Sequence, residues 1–509
     1  MVTKVFSGGV HGIKGYTVTV EADISDGMPM FELGGNLGSE VREARERVRC
    51  ALKNCGYELP IKRITVNFAP ADRKKFGTVY DVPLAVSVLR AMEEIPEEAI
   101  RSTFFAGELM LSGEIKPVKG ILPMVINARD EGLKRCIIPK ENEQEGAIVD
   151  DVEIIGVKSL IEAVAFLKGE KRIEPASSAF LKNHEAKGYE WDMQRISGQL
   201  FARRGLEIAA SGYHNMLLIG PPGAGKTMLA KCLPSIMPPL TPDESIRISS
   251  IYSVGGMLDP NKGIITQRPF ISPHHTSTDI SLIGGGIRPR PGAVSFSTGG
   301  VLFMDEFPEF SRQALEALRQ PLEDKKVRIV RNLDTIEYPA DFMLIAAMNP
   351  CPCGAYPDMS RCTCTKPERI RYLNKLSKPL LDRIDICLEV SKVKTGELLS
   401  TAKSESSEEV RKRVLSALKI QKDRFRNTSI LFNSQMSNKE IEKFCALDAH
   451  EKDILELLIN KYSLSARGYY RVLKVARTIA DLNECENIKE EHLYEAVRLK
   501  CNSDILKEA

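Results

Sequence analysis

Gly220-Pro221-Pro222-Gly223-Ala224-Gly225-Lys226-Thr227 decides how this chain is read, because of what flanks it. Before it, Asn215-Met216-Leu217-Leu218-Ile219 is a short apolar run of buried-strand type. After it, Met228-Leu229-Ala230-Lys231-Cys232-Leu233 reads as a helix. The glycines let the backbone curl until several N–H groups point inward at phosphate oxygens. Lys226 adds a point charge for the β- and γ-phosphates, Thr227 offers a hydroxyl to Mg²⁺, and the helix N-terminus favours the anion. Strand, loop and helix together predict a nucleoside triphosphate held by Gly220, Pro221, Pro222, Gly223, Ala224, Gly225, Lys226 and Thr227.

Downstream segments narrow the class. Gly300-Val301-Leu302-Phe303-Met304-Asp305-Glu306 is an apolar strand ending in two carboxylates, about 80 residues after the phosphate loop. A buried strand must end before it presents charge, so the pair belongs at the C-terminal sheet edge, beside the phosphates. Asp305 is suited to hold Mg²⁺ through water, and Glu306 to polarise the attacking water. Phe342-Met343-Leu344-Ile345-Ala346-Ala347-Met348 is a further buried strand, and Asn349 at its end can orient that water or sense the γ-phosphate. Arg383, in Leu380-Leu381-Asp382-Arg383-Ile384-Asp385, sits at a helix end, where it can reach a neighbouring subunit's nucleotide. Arg467, in Ser465-Ala466-Arg467-Gly468, opens a later helix and is suited to touch the same γ-phosphate in cis. Either arginine alone is more often a surface ion pair; the ordered set of five elements is what gives specificity. The guanine-selecting Asn-Lys-x-Asp is absent, which points to ATP.

At 509 residues the chain should hold about three domains. The expected divisions are 1–170, a linker at 171–190, an α/β core at 191–395 and a helical domain at 396–509. The first alternates short strands (16–20, 63–67, 134–139) with helices at 40–54 and 81–92; in the core, helices and buried strands interleave as in a parallel sheet. After Thr395 only helical patterns remain, near 407–425, 438–444, 451–459, 466–482 and 489–501. No run approaches the ~18 apolar residues of a membrane span, and the first residues lack a secretory apolar core, so a cytoplasmic location without membrane contact is expected. Net charge is only +3, from 71 basic and 68 acidic side chains, so any nucleic-acid surface must be local.

Two local basic segments qualify. Ile283-Gly284-Gly285-Gly286-Ile287-Arg288-Pro289-Arg290-Pro291-Gly292 is a projecting loop or hairpin tip whose Arg288 and Arg290 can hold phosphates without reading bases. Lys325-Lys326-Val327-Arg328-Ile329-Val330-Arg331 alternates as a second hairpin strand, with Lys325, Lys326 and Arg328 outward. Each is also readable as an ordinary solvated basic hairpin; together they would form a channel for single- or double-stranded DNA. His274-His275 can line the same region, although a structural role is preferred. Most of the twelve cysteines are scattered, as reduced thiols would be, but Cys351, Cys353, Cys362 and Cys364 frame one short insertion. Four such thiolates can close a tetrahedral Zn²⁺ site, although C-x-C is tighter than common zinc spacing and a redox-responsive cluster is the alternative.

Taken in order, these motifs resemble the AAA+ ATPases of the Mg-chelatase-like branch. The finer match is to the YifB/ComM family, carried by Pro273-His274-His275-Thr276, Pro289-Arg290-Pro291-Gly292, Asn349-Pro350-Cys351-Pro352-Cys353-Gly354, Ser465-Ala466-Arg467, the 41–49 run and Asn67-Phe68-Ala69-Pro70-Ala71-Asp72. The resemblance implies a hexameric ring with Mg·ATP at subunit boundaries and a role as a DNA translocase or branch-migration helicase in recombination or transformation. A metal-chelatase subunit or a protein-remodelling ATPase is the alternative. It also implies an α+β N-terminal domain of Lon-protease type (ribosomal protein S5 domain 2 fold), an AAA+ P-loop α/β core and a C-terminal helical lid. Ser112-Gly113-Glu114-Ile115-Lys116-Pro117-Val118-Lys119-Gly120-Ile121 carries the Lon similarity. The peptidase's nucleophile and lysine segments fall on 77–81 and 122–124, where neither residue is supplied, although Thr78 and Lys119 lie nearby; an inactive domain is expected.

Overall fold

Period-two patterning places Val18, Val20 and Ala22 wholly inside the protein while Thr17, Thr19 and Glu21 between them are partly exposed. The computed structural model describes residues 2–177, 189–331, 334–393, 404–428, 430–462 and 464–501. The core of the expected linker, 178–188, and the expected boundary at 395/396 lie outside the described residues. Two units divide the chain, and each gathers more than one stretch of sequence.

The first unit comprises Met1–Ala186, Thr241–Thr266 and Val330–Tyr338. Its strands are β1 (Thr3–His11), β2 (Lys14–Ser25), β3 (Met30–Gly34), β4 (Arg63–Ala69), β5 (Thr103–Phe105), the short pair β6 (Glu108–Leu109) and β7 (Ile115–Lys116), then β8 (Arg135–Pro139) and β9 (Glu153–Val157). Seven of them form a mixed sheet in the order β3-β4-β2-β1-β5-β8-β9. Helix Ser39–Asn54 buries Val41, Ala44, Val48, Ala51 and Leu52, one stripe at helical spacing. Asp81, 1% exposed, opens the helix Asp81–Ala91 and is clamped by Arg47 through two bonds of 2.9 Å. The segment Thr241–Thr266 belongs with this unit although it lies within the expected 191–395 core. Its helix Pro242–Gly255 starts on a Thr241–Glu244 capping box, and Ser253 near its end donates to buried Glu145. Glu145 also accepts from the Leu122 N–H (2.9 Å) and the Asn142 amide (3.0 Å).

The second unit comprises Lys187–Leu240, Gln267–Ile329 and Pro339–Ala509. Its strands are β10 (Met216–Ile219), β11 (Phe270–Ile271), the tiny pair β12 (Gly284–Gly285) and β13 (Arg290–Pro291), β14 (Val301–Met304), β17 (Met343–Met348) and β18 (Ile386–Glu389); a separate ribbon, β15 (Lys326–Arg331) with β16 (Asp334–Pro339), falls in part within the first unit's Val330–Tyr338. Five make a parallel sheet ordered β11-β14-β17-β10-β18. Every residue of β10, β14 and β17 is buried, as a parallel sheet covered on both faces requires. Helices Ser407–Arg424, Asn438–Phe444, Ala449–Tyr462, Ala466–Leu482 and Glu490–Cys501 follow, close to the expected bounds. They share one core with the sheet, Val414, Ala476 and Ile479 clustering with Met216 and Leu218.

Removing Arg47 strands the buried Asp81 charge. Arg47→Ala should cost about 3–5 kcal/mol, read as an earlier denaturant midpoint of the first unit. Arg45→Ala, which breaks an exposed pair with Glu46 and a long exposed hydrogen bond to Phe31 O (3.4 Å), should cost about 1 kcal/mol or less.

Candidate nucleotide site

β10 and β17 lie side by side with Ile219 opposite Met348. The phosphate loop leaving β10 and Asn349 leaving β17 therefore emerge at one sheet edge. The Lys226 ammonium turns back into that edge, donating to Gly220 O at 2.5 Å, Pro221 O at 3.1 Å and Asn349 Oδ1 at 3.1 Å. Only 8% of Lys226 is exposed, and burial lowers its pKa from the ordinary lysine value, opposed by Asp305. Gly223 (φ 75°) and Gly225 (φ 87°) take the left-handed conformation that the tight loop demands. At Gly220 a Cβ would stand 2.2 Å from Val390 O, so no side chain fits.

On the other side of β17, β14 delivers the carboxylates. Thr227 Oγ1 donates to Asp305 Oδ2 at 2.9 Å, which puts the two expected metal-holding groups together; the hydroxyl and carboxylate oxygens are the hard donors that Mg²⁺ prefers. Glu306 sits at φ 50°, uncommon for a residue with a side chain. Its carboxylate lies 3.0 Å from His275 Nδ1. The sequence reading did not pair these two; Pro273-His274-His275-Thr276 follows β11, which neighbours β14, a pairing that no local pattern announces. Gln199 was also missed. Its Nε2 donates to Ala224 O (2.8 Å) and Ser391 O (3.2 Å), tying the phosphate loop to the chain beyond β18.

Arg383 lies just before β18, the strand on the far side of β10 from β17. It donates to Pro379 O at 2.7 Å and pairs with Glu323, while its buried Nε has no hydrogen-bond partner. With Arg467, Arg471, Lys474, Glu323 and Asp382 it lines a cavity of about 310 Å³ that no phosphate-loop residue enters. Arg467, expected at its own protomer's γ-phosphate, lines the same cavity as Arg383. Arg471, one turn along the same helix, is ion-paired to Asp385.

The four cysteines do converge. Their Sγ atoms all lie within 4.8 Å of one another, with Cys351 3.4 Å from Cys353 and 3.8 Å from Cys362, and Cys353 3.7 Å from Cys362. Four sulfurs about 2.3 Å from one zinc ion stand about 3.8 Å apart, so the set fits. The Ala355 N–H, facing Cys353, holds that thiol down at about 5. Next door, Gly354 (φ 78°) packs so closely on the phosphate loop that a Cβ would meet Pro222 Cδ at 2.5 Å. Arg288 and Arg290 are exposed around the β12–β13 turn, whose Ile287 is 96% exposed. Lys326 and Arg328 lie at the start of β15, and Lys325, just before it, is 3.5 Å from Asp341 Oδ1.

Comparison with known proteins gives the family. Models of the magnesium chelatase subunit ChlI match residues 192–398, 20–142 and, for its C-terminal part, 404–500. The competence protein ComM of Haemophilus influenzae is 41% identical over 499 residues, 97% of this chain and 96% of its own. YifB of Escherichia coli is 39% identical over 496 residues, again 97% of this chain and 96% of its own. The chain belongs to the YifB/ComM family. It is an ATP-binding protein of AAA+ type in the Mg-chelatase-like group. An archaeal Lon protease from Pyrococcus abyssi is 33% identical over 147 residues, 28% of this chain and 14% of its own. Among the described residues, no helix is long and apolar enough to cross a membrane.

In the first unit, Thr78 Oγ1 donates to Glu108 at 2.8 Å, and the buried ion pair of Asp81 and Arg47 closes the same segment. Leu122 is buried, and the Lys119 stem lies against Gly256.

Gly220→Ala tests the loop geometry. Its methyl group has to displace Val390 and the end of β18, so ATP affinity should fall by more than about tenfold by calorimetry (about 1.4 kcal/mol).

Proposed function

We propose that this protein is an ATP-hydrolysing ring motor that translocates on single-stranded or branched DNA, with six copies and ATP bound where they meet. The carrying observation is that Lys226, Asn349, Thr227, Asp305 and Glu306 converge at one edge of a parallel sheet. Lys226 leaves its backbone carbonyls for the β- and γ-phosphates, and Thr227 with Asp305 would hold Mg²⁺, which neutralises phosphate charge. Glu306 takes a proton from the water that attacks the γ-phosphorus, and ADP leaves in line. Asn349 positions that water.

The completing charge comes from outside the protomer. Arg383 and Arg467 share a cavity rich in cations, and the unpartnered Arg383 Nε favours an incoming anion there. A neighbour's γ-phosphate supplies that anion, so both arginines act in trans. Arg288 and Arg290 on the exposed hairpin, with Lys325, Lys326 and Arg328, contact the DNA backbone. The name of the Haemophilus relative, a competence protein, points the same way. Cys351, Cys353, Cys362 and Cys364 hold a structural Zn²⁺ that stiffens the loop packed on Pro222. The first unit, with Asp81 and Leu122 in the segments where a Ser/Lys peptidase needs its dyad, is not a protease. A chelatase-type motor is the second reading, favoured by the matched family descriptions.

DNA-stimulated turnover separates the two: forked or single-stranded DNA should raise the ATPase rate, and no response favours the chelatase. Glu306→Gln should keep ATP affinity and lower kcat by about 10²–10⁴-fold, checked by calorimetry beside steady-state assays. Arg383→Ala subunits mixed into wild type should depress activity more than in proportion to their fraction. Purified protein should carry one zinc per chain by elemental analysis, and Cys351→Ser with Cys353→Ser should lose it.

A further inference from the structure

A cleft of about 850 Å³ lies between the turn after Asp305-Glu306 and the helix Lys366–Leu373 that follows the cysteine cluster. Its lining is partly apolar, from Pro308, Phe310, Pro367 and Ile370, and its charges are four cations against one carboxylate. The carboxylate, Glu309, is taken by Lys375 at 2.9 Å. The acids nearest the other cations are also engaged. Glu368, beside Arg371, accepts from the Thr365 N–H (2.7 Å) and hydroxyl (2.9 Å), and Glu316, beside Arg312, is held by Arg319 at 2.6 Å. Arg312, Lys366 and Arg371 are exposed and, among the described residues, make no ion pair.

Three exposed cations without a direct ion pair, over a partly apolar lining, suit a ligand that alternates negative charge with apolar faces, as a sugar-phosphate strand does. The helix that supplies Arg312 to the cleft is also tied to the helix leading into the arginine hairpin. Gln313 Nε2 donates to Asp279 Oδ2 at 3.2 Å, joining helix Arg312–Ala317 to helix Asp279–Ile283, which runs directly into β12.

We infer that this cleft is a second nucleic-acid contact, in which Arg312, Lys366 and Arg371 hold phosphates of a DNA strand whose next stretch lies on the Arg288–Arg290 hairpin. The inference rests on the DNA reading above and extends it to residues outside both hairpins.

The test is the full-length triple variant Arg312→Glu/Lys366→Glu/Arg371→Glu, with Arg312→Gln/Lys366→Gln/Arg371→Gln as a milder partner. Binding of fluorescent single-stranded and forked oligonucleotides is titrated over a range of salt, alongside DNA-free ATPase and sedimentation with a non-hydrolysable ATP analogue. Affinity should fall by about tenfold or more, and the slope of log K against log salt should flatten by about 2, for three lost contacts at about 0.7 each. DNA-free turnover and assembly should be unchanged. Wild-type affinity and slope in both variants would overturn the cleft alone. Wild-type protein that binds neither oligonucleotide overturns the DNA reading and the cleft with it. Lost assembly with intact DNA affinity would instead make the cleft a seat for a neighbouring copy.

Discussion

A lysine ammonium held out of water at the edge of a sheet is the constraint around which the second unit is arranged. Lys226 is 8% exposed and has only neutral oxygens directly bonded to it: two carbonyls of its own loop and the Asn349 amide. Neutral oxygens compensate a buried cation only in part, which is why burial lowers its pKa. An arriving polyphosphate offers full charge to a donor already in position. The same bonds join β10 to β17, so the group that awaits phosphate also registers the strand that carries Asn349.

That edge depends on support from behind. Asp385, just before β18, is wholly enclosed; burial pushes its carboxyl up, but Arg471 and His214 outweigh this and hold it well below the usual carboxylate range. His214 Nε2 meets Thr478 Oγ1 at 2.9 Å, and Asn433 reaches Thr478 (3.1 Å) and Asp481 (2.8 Å). The strand bearing the sheet's outer edge and the C-terminal helices are thus one polar network, satisfied throughout by named partners. Asn215 belongs to it too, donating to Arg383 O at 3.0 Å and accepting from the Leu344 N–H at 2.9 Å. Arg383 and Arg467 share a cavity because this network fixes both of their backbones.

Local signals were legible where they repeat or crowd together. The phosphate loop, the two buried strands that end in Asp305-Glu306 and Asn349, and the five C-terminal helices all fall near their expected positions, because apolar periodicity and a dense motif report directly on local structure. Convergence of Cys351, Cys353, Cys362 and Cys364 was legible from spacing within one loop. Strands such as β5 and β11, two or three residues long, carry too little pattern to be read. Contacts across the chain were not legible either. Nothing in the periodicity of Pro242–Gly255 says that Ser253 pegs it to Glu145, or that this stretch belongs with the first unit. The motif around Arg467 gives a helix start, but the Arg471–Asp385 pair one turn along lies outside any local pattern.

The most direct measurement is a structure of the full chain with Mg²⁺ and a non-hydrolysable ATP analogue. The account predicts a triphosphate in the loop, with Lys226 transferred from the Gly220 and Pro221 carbonyls to its oxygens, a metal ion beside Thr227 and Asp305, and Arg383 of an adjacent copy at the γ-phosphate. A saturated sample whose loop holds no nucleotide, with Lys226 still on its own carbonyls and the copies apart, would contradict it.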